Sequence, residues 1–148
     1  MIKKILVPVD GSPPSIRAAK MAADIVAKEG GQIHLLNVVK PSSGDYSGVS
    51  FAGFELPRDL AEKVNQEWEK VARHIVDKVS AEIKEKNVEV HHNIAKGDPV
   101  SIICKVAKEG QFDLISIGSR GVGGVTGILG SVSSRVSQQS SCPVLINH

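Results

Sequence analysis

The 148 residues carry a formal net charge of +2, with lysine and arginine interspersed among aspartate and glutamate. No concentrated basic face is available for nucleic acid, and aromatics at 3% leave little surface for base stacking. Hydrophobic residues at 41% and charged residues at 23% are ordinary for a soluble globular protein, and the length suits one domain over 1–148 with a sizeable core.

Ile5-Leu-Val-Pro-Val9 predicts a first strand that is apolar on both faces, as in a parallel sheet covered by helices. Pro8 lacks an N–H and belongs near the strand's C-terminal end. Asp10-Gly11-Ser12 makes the turn, with Ser12 as N-cap and Pro13 in the first helical turn. Ile16, Ala19, Ala23 and Val26 share one face of a first helix that runs to about Lys28. A second strand spans Gln32 to Val39. The connection from Pro41 to Leu56 is long and holds Tyr46, Phe51 and Phe54, which fits either a lid or subunit contact or a plain surface loop.

The next helix has the clearest periodicity in the chain. Leu60, Val64, Trp68, Val71, Ile75, Val79 and Ile83 step by three or four along one face, which assigns Trp68 to the core. Asn87 ends that helix, and Val88 to Ile94 alternates as a third strand. Adjacent His91 and His92 point to opposite faces, and His34, His74 and His148 show no ligand spacing, so no metal held by protein side chains alone is expected. Asp98 caps a third helix with Pro99 in its first turn, and Val100, Ile103, Cys104 and Ala107 form the inner face. Asp113 to Ile117 is a fourth strand, a fourth helix runs from Ser131 to about Gln139, and Pro143 to Ile146 is the last strand.

Between the fourth strand and fourth helix lies Gly118 to Ser133, GSRGVGGVTGILGSVS, with glycine at every third position from 118 to 130. Residues without a Cβ let a ligand approach backbone N–H groups closely. Such amides, together with the positive end of a following helix, form a seat for phosphate. Glycine content alone fits a tight turn equally well. With no lysine in the stretch, the P-loop pattern is not met, and Gly121-x-Gly123 lacks the third glycine of a dinucleotide fingerprint.

Five strands alternating with four helices predict an open parallel sheet with helices on both faces, a Rossmann-like or flavodoxin-like α/β domain. Ligands in such sheets bind beyond the carboxyl ends of the strands, where the strand order reverses. If the first and fourth strands are central neighbours, Asp10 and the glycine stretch meet there. The short apolar last strand would be an exposed edge, and pairing it with the same strand of a second copy predicts a homodimer through Pro143–Ile146. No segment approaches the ~20 apolar residues of a membrane span. The opening MIKKILVPVD lacks a signal-peptide pattern, and Cys104 and Cys142 form no C-x-x-C pair; together these imply a cytoplasmic protein with two buried, reduced thiols.

KKILVPVDGS, LLNVV, KGDP, DLISIGSRG, GSVSSRV and SCPVLI, spread over the whole chain, resemble the universal stress protein family. The resemblance implies strand order 3-2-1-4-5, dimerisation through the last strand, and an ATP-binding branch marked by Gly-x2-Gly-x9-Gly-(Ser/Thr). By position, Gly118 and Gly121 match its first glycines, and Gly130-Ser131 its end, with Val132 and Ser133 following in the phosphate-binding turn. Asp10 matches an aspartate near the ribose and phosphates, where a divalent cation sits, and Pro8 and Val38 match the adenine pocket. The pattern departs at one point: eight residues, not nine, separate Gly121 from Gly130.

The resulting expectation is a stress-response or regulatory protein that binds ATP, or ADP or AMP, with Mg²⁺ or Mn²⁺ held indirectly by Asp10 and the nucleotide phosphates. Arg120 would neutralise phosphate charge. The alternatives are a slow ATPase and a nucleotide-free dimeric adaptor; no general base or catalytic lysine stands in the glycine stretch, so catalysis is not expected beyond weak hydrolysis.

Overall fold

The computed structural model describes residues 1–40, 50–51, 54–55, 57–123 and 128–148. Tyr46 and most of the 41–56 connection, along with residues 124–127 of the glycine stretch, lie outside these. In chain order the elements are β1 (Lys4–Pro8), α1 (Pro13–Glu29), β2 (Gln32–Val39), β3 (Ser50–Phe51), β4 (Phe54–Glu55), α2 (Arg58–Ile83), β5 (Glu89–Lys96), α3 (Pro99–Glu109), β6 (Leu114–Gly118), α4 (Ser131–Gln139) and β7 (Val144–Asn147). The main sheet runs β5-β2-β1-β6-β7 with every pair parallel. Counted among these five strands alone, that is the order 3-2-1-4-5. β3 and β4 form a separate antiparallel pair inside the long connection from Pro41 to Leu56.

The two-sided apolar character of β1 divides the core. Ile5 and Val7, with Ile33 and Leu35 of β2, pack under α1 and α2. Leu6, with Leu36, Ile115 and Ile117, packs under α3 and α4 through Val100, Ile103, Ala107 and Val136. Alanines at 18, 19, 22 and 23 are fully buried and bring α1 close to the sheet. Pro8 is the last residue of β1, where its missing N–H interrupts nothing. Ser12 caps α1 by accepting the Ser15 N–H, and Asp98 caps α3 by accepting the Ser101 N–H. Asp113 accepts the N–H groups of Lys3 and Lys4 at 2.9 and 2.8 Å, which sets the start of β1 beside β6.

Three expectations need correction. Trp68 is not in the core: it is 45% exposed, as is Leu60, and Val71 is 57% exposed. The buried line of α2 is Ala61, Ala72, Val76, Val79 and Ile83. The reason is length, since 26 residues of helix span about 39 Å and the eight residues of β2 about 26 Å. Ile75 already lies against Gly11 at the carboxyl end of β1, so most of the helix before it overruns the sheet. Second, Cys104 and Cys142 are free thiols but only half-buried, at the margin of the α3/α4 core. Third, the last strand is shifted by one residue to end on Asn147, whose buried amide donates to the Ser116 hydroxyl (3.0 Å) and the Ile117 carbonyl (3.2 Å).

Candidate functional site

The strand order reverses between β1 and β6, and a cavity of about 520 Å³ opens beyond their carboxyl ends. Its walls include Pro8, Asp10, Val38, Gly118, Arg120, Gly121, Gly130, Ser131, Val132 and Ser133, so all ten residues singled out from sequence face one space. The structure adds residues the sequence reading passed over. Leu36, Pro99, Ile103 and Ile117 floor the end near Val38, and Ile128 and Leu129 stand on the glycine side. Leu36 pairs with Pro8, the last residue of β1, and Ile117 precedes the last residue of β6, a signal available once those strands were placed; Pro99 and Ile103 depend on how α3 packs and carried none.

The two ends of the cavity differ chemically. At one end, Pro8, Leu36, Val38, Ile103 and Ile117 present apolar surface. At the other lies the start of α4. Its N-cap is Gly130, without a side-chain capping bond, and the amides of Ser131, Val132 and Ser133 make no backbone hydrogen bond among the described residues. The first turn of a helix leaves such N–H groups unmatched and carries the positive end of the helix dipole. The helix starts of α1 and α3 use Ser12 and Asp98 to meet that need.

Backbone contacts hold the turn in place. Gly130 N donates to Ser119 O at 2.6 Å, and the buried Ser133 hydroxyl shares its one proton between Ser119 O (2.9 Å) and Gly130 O (3.0 Å). Ser133 therefore lines the cavity with its hydroxyl proton already engaged, while its amide has no backbone partner among the described residues. Gly118 has a packing role as well, because a Cβ there would lie 2.9 Å from Pro14 and the Ser15 nitrogen of α1. At Gly130 a Cβ would come within 3.1 Å of Arg120 Cα and Ser119 O.

Asp10 and Arg120 are the charged residues of the wall. Asp10 Oδ1 accepts the Ser12 N–H at 2.9 Å and Oδ2 accepts the Val122 N–H at 3.1 Å, joining the exit of β1 to the glycine turn. Behind it, the buried Asn37 amide donates to the Val9 carbonyl at 2.8 Å and fixes the backbone that carries Asp10. Among the described residues no group of three or more His, Cys, Asp or Glu side chains is placed to hold a metal ion. His34 and His91 do meet, across β2 and β5, with ring centroids stacked 4.7 Å apart, but at a different place from this cavity.

An open parallel α/β sheet with a glycine turn feeding an uncapped helix at its switch point defines a class of phosphate-accommodating domains. The universal stress protein family model matches residues 1–148. Universal stress protein YxiE of Bacillus subtilis is 33% identical over 147 residues, covering 99% of each chain. The universal stress protein UspA from Lactobacillus plantarum superposes with a TM-score of 0.80 at 24% identity, covering 99% of this chain and 97% of its own. A universal stress protein solved in complex with cAMP superposes with a TM-score of 0.71 at 27% identity, with 99% and 97% covered. The chain belongs to the universal stress protein family. Among the described residues no helix is long and apolar enough to cross a membrane.

Proposed function

We propose that the chain is a cytoplasmic regulatory protein of the stress response that binds an adenine nucleotide in the β1/β6 cavity. The observation that carries this reading is the uncapped start of α4: Ser131, Val132 and Ser133, whose amides have no backbone partner among the described residues, line a cavity that also has apolar walls. Phosphate groups would sit on the amides of Ser131, Val132 and Ser133, beside Gly121 and Gly130, with Arg120 adding positive charge. The base would lie against Pro8, Val38 and Leu36. A cavity of about 520 Å³ falls within the usual range for small-molecule sites, roughly 300–1,000 Å³. The family member in complex with cAMP supports an adenine nucleotide as the guest.

The wall also suits Mg²⁺ or Mn²⁺ in one way only. With Asp10 the one carboxylate in the wall among the described residues, the ion would be shared between Asp10 and nucleotide phosphate oxygens, the arrangement Mg²⁺ favours. ATP fits this reading best, because its longer phosphate chain spans from the α4 amides toward Asp10. Asp10 and Arg120 supply no obvious pair for activating water, so retention of the nucleotide is favoured over turnover. A homodimer through β7 completes the proposal, since β7 ends the sheet and its outer edge is unpaired among the described residues.

The test is titration calorimetry with ATP, ADP and AMP on the protein and two variants. Val38→Glu places a charge at the apolar end, and Gly130→Val crowds the phosphate end. Each should weaken ATP binding at least tenfold, about 1.4 kcal/mol, with melting curves retaining one cooperative transition. Unchanged affinity in both variants would place the nucleotide elsewhere. Light scattering on the same samples tests the dimer.

A further inference from the structure

The two bonds of the Asp10 carboxylate are unequal in consequence. The one to Ser12 N–H is local. The one to Val122 N–H crosses 112 residues of sequence and takes up an amide of the glycine turn. Gly121 makes that approach possible, since a Cβ there would lie 2.7 Å from Oδ2. A carboxylate oxygen on a turn amide is chemically what a phosphate oxygen would be at the same position: an anionic acceptor on a backbone donor.

We propose that Asp10 acts as an internal anion at the edge of the phosphate seat, so that the site discriminates against bare nucleotide anions and in favour of cation-complexed ones. This rests on the nucleotide reading above. A phosphate brought to the glycine turn meets a negative charge already bonded there. Two like charges in close contact repel strongly where solvent is partly excluded. Among the described residues Arg120 is the one cation of the wall, against two anions once a phosphate is bound. A divalent ion held between carboxylate and phosphate turns the repulsion into a shared attraction, and Val122 N–H keeps its acceptor. Asp10 thereby becomes a specificity-determining residue, which a role limited to accepting ribose hydroxyls would not make it.

The experiment measures ATP affinity by calorimetry in excess EDTA and in excess Mg²⁺, for the wild-type protein and Asp10→Asn. The wild-type protein should bind ATP at least about tenfold more tightly with Mg²⁺ than with EDTA, a lower bound for one like-charge contact relieved near a protein surface. In Asp10→Asn the two affinities should converge to within about twofold, because metal-free binding tightens once the carboxylate charge is gone. Metal-free binding that is unchanged or weaker in Asp10→Asn, with the Mg²⁺ preference retained, would overturn the inference and leave the nucleotide site standing. Absence of ATP binding to the wild-type protein under both conditions would overturn both. A measurement on the unaltered protein guards against a misfolded variant. The Val122 amide should be protected from hydrogen exchange relative to the neighbouring turn amides, and exchange as fast as theirs would contradict the Asp10 contact.

Discussion

Ser133, in the first turn of α4, shares its hydroxyl proton between Ser119 O at 2.9 Å and Gly130 O at 3.0 Å, so one buried side chain touches both ends of the glycine turn. Among the described residues the turn is also held by the Gly130 N to Ser119 O bond and by Asp10 reaching Val122. Ser133→Ala should cost about 1 kcal/mol of stability, the usual worth of a buried hydrogen bond, and weaken nucleotide binding by letting the α4 amides drift. Urea unfolding with a matched ATP titration checks both. A variant as stable as the parent with unaltered affinity would show that the brace is dispensable.

The overrun of α2 gives a contrast within one helix. Trp68→Gln should change stability by less than about 0.5 kcal/mol, as for an ordinary surface site. Ile83→Ala, at a fully buried position, should cost about 2–5 kcal/mol from lost burial and the cavity left behind. Denaturant midpoints for the two variants decide the matter; a large loss at Trp68 would return that residue to an interior role.

The architecture was legible because its signals are local. β1 reads as apolar on both faces, Ser12 and Asp98 sit where caps belong, and Pro8 falls at a strand end. The candidate-site residues from 118 to 133 drew notice through glycine content and a helix start, which fit a tight turn equally well, and position within the family pattern singled them out. What escaped was whatever depends on length or on contacts across strands. Periodicity marked the apolar stripe of α2 without revealing that the sheet beneath it stops short of Trp68. His34 and His91 are 57 positions apart and only the β2–β5 register stacks them. Asn37 and Asn147, both buried, read as ordinary polar strand residues until their partners at Val9 and Ser116 were in place.

Stability should fall with acid in two stages. His34 lies half-buried against Phe112, with ring centroids 4.9 Å apart edge to face, and stacked on His91. Burial first, then the nearby His91 and Lys4 charges, holds its pKa below 6.5, with Glu89 pulling the other way. A ring whose folded pKa is depressed favours the neutral form, so the unfolded chain takes the proton more readily. Its contribution is complete above pH 6.5 and declines as the pH falls from there through the folded-state value. Asp113, bonded to the Lys3 and Lys4 amides, and Asp98, bonded to the Ser101 amide and hydroxyl, are both held below 3.8. Their contributions persist above that pH and disappear as it falls further. Urea unfolding between about pH 7.5 and pH 5 should show declining stability, and His34→Gln should flatten that slope. An unchanged slope in His34→Gln would assign it to other groups.

The central claim is that the amides at the start of α4 receive phosphate. Nitrogen-edited NMR of the labelled protein, titrated with ATP and Mg²⁺, reads those amides one by one. Saturable shifts should concentrate at Gly121, Ser131, Val132 and Ser133, with Val38 responding at the opposite end of the cavity. Saturable shifts that bypass Ser131 to Ser133 would contradict the account, as would a spectrum that ATP leaves unmoved.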